Sequence, residues 1–321
     1  MINIQGATYA QLEQFDSAIE SFRKSVAISP NHVDALFNMS ICLEAKGDIE
    51  GALDGYKKVI EINPRLIDVH GKMGSAFQAN GNLDSAIACY RQVLKINPAY
   101  PAVYCNIGVC LKEKGDIDGA INSYRQAINI KPDFAEAYSN MGIAMKAKGD
   151  LDGAINSYNM CAEINPQFAN VHCNIGNILK LKGDLDGAIN SYRRAIEIEP
   201  HFAQAFNNMG VALLDRCCID QATNCFEQAI ELNPEFADAL VNMGRALNEK
   251  GDLDGAIKSF RQAIKINPAL SVAYNNLGIT QQENSDLGDA MESYAQAIQI
   301  DPDYADAHNN LGNVFNEKGD L

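Results

Sequence analysis

The sequence predicts an all-α chain, an array of helical hairpins, and three columns of residues predict it. Nine of its ten prolines, from Pro30 to Pro302, stand 34 residues apart. With each proline placed at position 32 of a repeat, position 20 is Ala in all nine slots, from Ala18 to Ala290. Position 24 is Phe or Tyr in the same nine, from Phe22 to Tyr294. A fixed period of this length marks a stack of supersecondary units, each too small to bury its own apolar face alone.

The elements of one repeat follow in order. Positions 4, 7, 8 and 11 have the i, i+3, i+4, i+7 spacing of one helical face; between 135 and 168 they are Tyr138, Met141, Gly142 and Met145. A turn comes next, written KGDLDGAINSY at 148–158 and again, letter for letter, at 182–192. Lys148 suits the negative end of the first helix, and Gly149 supplies the left-handed residue that ends it. Asp150 and Asp152 offer side-chain acceptors to the free N–H groups of the second helix. That helix carries the stripe Ala154, Tyr158, Cys161, and the proline prevents its continuation. Gly at position 8 (Ser40 excepted) and Ala at position 20 let the two helices approach closely. Two turns break the pattern, Arg216-Cys217-Cys218 and Asn284-Ser285-Asp286, and are expected to be the softer ones.

These columns resemble the tetratricopeptide repeat (TPR) family, whose pattern is W-x2-L-G-x2-Y…A-x3-F…P over 34 residues. The resemblance covers the whole chain. The family's Trp slot, position 4, holds smaller residues such as Leu36, Tyr104, Tyr138 and Phe206, and His70, His172 and His308 in what is expected to be a core slot. The resemblance implies a right-handed α-solenoid, a superhelix similar to the TPR arm of O-GlcNAc transferase. It implies one array over 1–321. A partial repeat spans 1–32, full repeats 33–66, 67–100, 101–134, 135–168, 169–202, 203–236, 237–270 and 271–304, and a last partial repeat 305–321. The final AHNNLGNVFNEKGDL reads as an ordinary repeat and not as a polar cap, so a longer array, and self-association through uncapped ends, are expected.

Composition removes several classes. A formal charge of −15 leaves no basic footprint for displacing counterions from nucleic acid. No apolar run nears the roughly 18–20 residues of a membrane span, and MINIQGATYAQLEQF lacks the marks of a signal peptide. The nine cysteines are odd in number and hold no C-x-x-C. They read as reduced core fillers of a cytoplasmic, intracellular protein. The D-x-D-G string fails as a calcium loop, because Ala154 and Cys161 occupy two ligand positions counted from Asp150. Cys217, Cys218 and Cys225 supply three soft ligands where a structural zinc needs four. No phosphate loop, nucleophile elbow or H-E-x-x-H is present, so neither a catalytic set nor a cofactor is expected.

In the TPR family the first helix of each repeat lines the concave face through positions 2, 5, 6, 9, 12 and 13. Position 6 here is Asn38, Asn106, Asn140, Asn174, Asn208, Asn242, Asn276 and Asn310, with Lys72 and Ile4 departing from the row. Asn inside a helix costs about 0.6 kcal/mol relative to Ala, which calls for a use. An amide can pair with both sides of a peptide group, so such a row could hold an extended chain by its backbone. It is similar to the asparagine ladder of the O-GlcNAc transferase arm. Bonding between neighbouring repeats is the competing use of the same amides. Lys112, Lys146 and Lys180 fill position 12 in three consecutive repeats, a basic strip for an acidic ligand segment or a solvated helix edge. The expected function is a protein–protein interaction scaffold for extended peptides. The alternative is the substrate-recognition arm of a larger transferase whose catalytic domain lies outside this chain.

Overall fold

The computed structural model describes residues 2–319 and forms them into 19 helices, with no strand among the described residues. The first helices of the hairpins are α1 (Ile2–Gln11), α3 (Val33–Ala45), α5 (Ile67–Ala79), α7 (Pro101–Glu113), α9 (Ala135–Lys148), α11 (Ala169–Leu181), α13 (Ala203–Asp215), α15 (Ala237–Lys250), α17 (Ser271–Glu283) and α19 (Ala305–Lys318). The second helices are α2 (Phe15–Ile28), α4 (Ile49–Ile62), α6 (Leu83–Ile96), α8 (Ile117–Ile130), α10 (Leu151–Ile164), α12 (Leu185–Ile198), α14 (Ile219–Leu232), α16 (Leu253–Ile266) and α18 (Leu287–Ile300). The chain divides into two compact units, one ending at Ile164 and one beginning at Asn165. In each, every first helix except α19 packs against its own second helix, and most second helices pack against the next first helix.

Eight of the nine described hairpins close on an aromatic ring laid over a glycine. A Cβ added to Gly142 would lie 2.6 Å from Cε1 of Tyr158, and the ring itself is 1 % exposed. The hairpin of α3 and α4 keeps the close approach by a different pairing. Ser40 replaces the glycine and donates to the Leu36 carbonyl at 2.8 Å. Opposite it stands Gly55, where other repeats carry Ser or Cys; a Cβ there would lie 2.0 Å from Ser40 Oγ. Around these rings, small apolar clusters run from hairpin to hairpin, such as Leu36, Leu53, Tyr56, Val59 and Val69.

The turn behaves as the string predicts at three points. Gly149 takes φ +87°, Asp150 N–H donates to Met145 O at 2.9 Å, and Asp150 Oδ1 accepts from Gly153 N–H at 2.9 Å. Gly153 also has a steric reason: a Cβ there would lie 2.3 Å from the capping carboxylate. In three other repeats the second aspartate of the turn has another role. These aspartates are exposed and are taken by the next repeat: Asp118 accepts from Lys148 at 2.6 Å, Asp220 from Lys250 at 2.7 Å, and Asp186 pairs with Arg216. The same lysines that end the first helices therefore link successive repeats within each unit.

Three turns lack the glycine, and there Glu13, Cys217 and Ser285 take φ of 56°, 59° and 65°. Among the second helices, the three that follow them, α2, α14 and α18, are the ones whose cap residues Gln14, Cys218 and Asp286 make no side-chain cap bond. Where the residue before the proline is Asn or Asp, it closes an Asx turn over it, as Asn97 Oδ1 does by accepting from Ala99 N–H at 3.1 Å. The imidazoles of position 4 diverge. His70 is buried and His308 exposed, and each uses Nε2 against the carbonyl of Pro64 or Pro302, at 2.8 and 2.9 Å. The expected core slot thus holds for His70 and not for His308, whose helix α19 carries no described second helix against it.

Candidate peptide-binding face

Within a first helix, positions 2, 5, 6 and 9 fall on one side, because residues three and four apart are neighbours on a helix. In α5 these are Asp68, Gly71, Lys72 and Ser75, and all four line one cleft. The asparagines of position 6 occupy this side in their own helices. Asn38, Asn106 and Asn140 lie in the N-terminal unit, and Asn174, Asn208, Asn242, Asn276 and Asn310 in the C-terminal unit, all of them half-buried.

Four of these amides reach back to the preceding repeat. Asn140 Nδ2 donates to Cys105 Sγ at 3.4 Å. Asn208 Nδ2 donates to Asn177 Oδ1 at 3.0 Å and approaches Cys173 Sγ at 3.7 Å. Asn242 Nδ2 donates to Asn207 Oδ1 at 3.0 Å, and Asn310 Nδ2 to Asn275 Oδ1 at 3.1 Å. Position 5 of the previous repeat is the partner in all four. Cys105, Cys173, Asn207 and Asn275 are buried. Burial pushes the two thiols up to about 11, partly offset by the amide beside each, so they stay protonated and accept through sulfur.

Where position 5 has no acceptor, the link is missing. Gly71 precedes Asn106, and Val241 precedes Asn276. Asn106 instead lies against the Tyr90 hydroxyl, and Asn276 makes no side-chain hydrogen bond among the described residues. Asn38 follows Asn3, whose Oδ1 is buried without a partner, and no bond joins the two. Bonding between repeats therefore uses the Nδ2 side of the amide. At Asn140, Asn242 and Asn310 the Oδ1 atom has no donor among the described residues. At Asn208 it accepts from Gln204 at 2.8 Å.

The three lysines of position 12 have different surroundings. Lys180 pairs with Asp215 of the next repeat at 3.3 Å. The same step, position 12 to position 13, joins Asn248 to Glu283 and Gln282 to Glu317, both at 2.8 Å. Lys112 has Ala147 at that step and Lys146 is exposed, and neither has an ion pair among the described residues. The core tyrosines also reach this face, a feature the apolar stripe gave no reason to expect. Tyr56 donates to Glu44 at 2.6 Å, Tyr192 to Asn177 at 2.8 Å and Tyr294 to Gln282 at 3.1 Å. A signal was present for the position 5 acceptors: Asn or Cys recurs 35 residues before a position 6 Asn.

Among the described residues no group of three His, Cys, Asp or Glu side chains could hold a metal ion. No described helix is long and apolar enough to cross a membrane. All nine thiols are free; Cys217 is exposed and Cys225 buried.

A stack of helical hairpins with one amide-lined first-helix side defines the class: a helical-repeat protein. The chain belongs to the tetratricopeptide repeat family. Its TPR repeat pattern matches residues 74–115, 111–149, 144–183, 176–215, 244–285 and 283–319. Further tetratricopeptide repeat patterns match 9–75, 203–236 and 225–258. Among curated proteins none matches the chain. Solved structures share the fold. A chain of the APC/C hetero-tetramer Cut9-Hcn1 is similar at 17% identity and TM-score 0.59, over 93% of this chain and 59% of that one. Pseudomonas aeruginosa pilF is similar at 18% identity and TM-score 0.57, over 66% and 96%. YrrB, a TPR protein with an unusual peptide-binding site, is similar at 23% identity and TM-score 0.49, over 59% and 97%.

Proposed function

We propose that this protein is a protein–protein interaction scaffold that grips extended peptide segments through the first-helix side of its repeats. The observation that supports it most is the state of the position 6 amides. At Asn140, Asn242 and Asn310 one N–H is tied to the preceding repeat, which fixes the rotamer, while Oδ1 and the second N–H are left over. A tethered amide loses little further freedom on binding, so its remaining donor and acceptor meet a peptide group at low entropic cost. Recognition of this kind reads backbone and depends little on ligand sequence.

The test replaces Asn242, Asn276 and Asn310 together by Ala, in the full chain, and measures fluorescence anisotropy with 12-residue peptides selected on the wild type from a random display library. A hydrogen bond to a neutral group is worth about 1 kcal/mol net. Three lost bonds should weaken binding at least tenfold with helicity intact. N-methylation of alternate peptide residues should do the same, because it removes the donors that Oδ1 would accept. Unchanged affinity in both experiments would overturn the reading.

A further inference from the structure

One place on this side of the N-terminal unit departs from the amide row, and there the surface opens into a cleft of about 410 Å³ between α3, α5 and α7. It exists because two side chains are short: Gly71 has none, and Ala102 in the next repeat has only a methyl. A Cβ at Gly71 would meet nothing within 4 Å. The floor is the ring of Tyr90 with Val93 and Val103, all nearly inaccessible, and Phe37 and Ile41 form one wall. The volume falls in the roughly 300–1,000 Å³ range of ligand clefts, and an apolar floor with a few polar groups at the mouth is their usual chemistry.

The mouth is polar and charged. Asn106 reaches it from α7, and Ser75 Oγ and the Tyr90 hydroxyl lie 3.2 Å apart there. Lys72 stands at position 6, where the other repeats from 33 onward carry Asn. Its ammonium is exposed and has no ion pair among the described residues, although Asp68 lies one turn away on α5. An unpaired cation beside an apolar floor complements a carboxylate held next to an apolar side chain.

We propose that this cleft is the specificity pocket of the peptide-binding side: it takes one bulky aliphatic or aromatic side chain of the bound peptide, with an Asp or Glu of the same peptide paired to Lys72. The proposal rests on the peptide-binding reading and adds sequence preference to it. Elsewhere the row reads backbone; here Gly71 and Lys72 would set which segment of a partner stops in register.

The experiment selects 12-residue peptides from a random display library on the full wild-type chain, then measures the best synthetic binders against Gly71→Leu, Ala102→Leu and Lys72→Asn. Each leucine fills the cleft from a different wall, and circular dichroism checks that helicity is kept. The selected peptides should share one Leu, Ile, Met or Phe in fixed register with an Asp or Glu within two residues. Both leucine variants should bind them at least tenfold more weakly. Lys72→Asn should weaken binding only while the peptide acid is present. Peptides that bind wild type with no fixed apolar position, or equally well to both leucine variants, overturn the pocket and leave the backbone-gripping reading standing. A basic residue selected beside the apolar one overturns the role of Lys72. Failure of every peptide to bind wild type overturns both readings.

Discussion

Exchanging the partners in the α3–α4 hairpin tests whether close helix approach is what constrains these repeats. Gly55→Ser alone places a Cβ 2.0 Å from Ser40 Oγ and 3.2 Å from Ser40 Cβ, in a site where Ser40 is fully buried. Ser40 Oγ can swing away only by leaving the Leu36 carbonyl, to which it donates at 2.8 Å. If it swings away, a buried hydroxyl without a partner costs about 1–3 kcal/mol; if it stays, overpacking a dense interface costs a similar amount in its place. Replacing glycine in a helix returns roughly 0.5 kcal/mol. The single variant should therefore lose about 1–2 kcal/mol. Ser40→Gly together with Gly55→Ser rebuilds the arrangement seen at Gly142 and Ser157, where Ser157 Oγ donates to Gly153 O at 2.8 Å. The double variant should recover most of the loss, a coupling of about 1–2 kcal/mol. A repeat array need not melt as one unit, so the assay is amide hydrogen exchange in α3 and α4, where 1.4 kcal/mol is tenfold in protection. A loss below about 0.5 kcal/mol in the single variant, or no recovery in the double, would refute the steric account.

Three other outcomes follow from the same geometry. Cys217→Gly should stabilise α13 and α14 by about 1 kcal/mol, seen as slower exchange there, because a left-handed conformation at φ 59° is strained with a Cβ and free of cost for Gly. Burial, and then the nearby Arg194, hold His172 below its ordinary value of 6.5, so the fold prefers it neutral. Stability should be full above pH 6.5 and decline as pH falls from there through the lower folded value; His172→Phe should flatten that part of a pH series of thermal melts. Lys148→Ala removes an exposed ion pair to Asp118 and should cost no more than about 1 kcal/mol, with the difference in chemical-denaturation midpoint from wild type vanishing at 1 M salt.

Much of the hairpin was legible because it depends on columns that one sequence displays nine times. Pro30 to Pro302, Ala18 to Ala290 and the aromatic column fix where helices stop and which faces touch. Asp150 as cap and Gly149 as left-handed terminator follow from residue chemistry alone. The pairing of Asp118, Asp186 and Asp220 with the next repeat was not legible, because the capping preference is blind to what lies one repeat away. The different surroundings of Lys112, Lys146 and Lys180 were hidden for the same reason: Asp215 stands at position 13 after Lys180, whereas Ala147 follows Lys112. The cleft beside Gly71 was hidden because an absent side chain leaves no pattern; it shows only when α3, α5 and α7 are placed together.

Position 6 is nearly constant while position 5 varies, and the geometry relates the two columns. An amide at position 6 needs an acceptor behind it to be held, and Cys105, Cys173, Asn207 and Asn275 each serve, whether through sulfur or oxygen. Position 5 can vary among such residues at little cost, since both offer a lone pair from a buried site. Gly71 and Val241 cannot serve, and the Asn that follows each is not tied back in this way. If bonding between repeats were the whole use of the row, Asn276 would have none, and its poor helix propensity would be unrewarded; Asn106 still meets the preceding repeat through the Tyr90 hydroxyl. An untethered amide at Asn276 is what the proposed outward use of the row calls for. The loss at Gly71 also has a structural counterpart: the helix that gives up the tether is the one that opens the cleft, so the row gives way to a pocket within a single turn of α5.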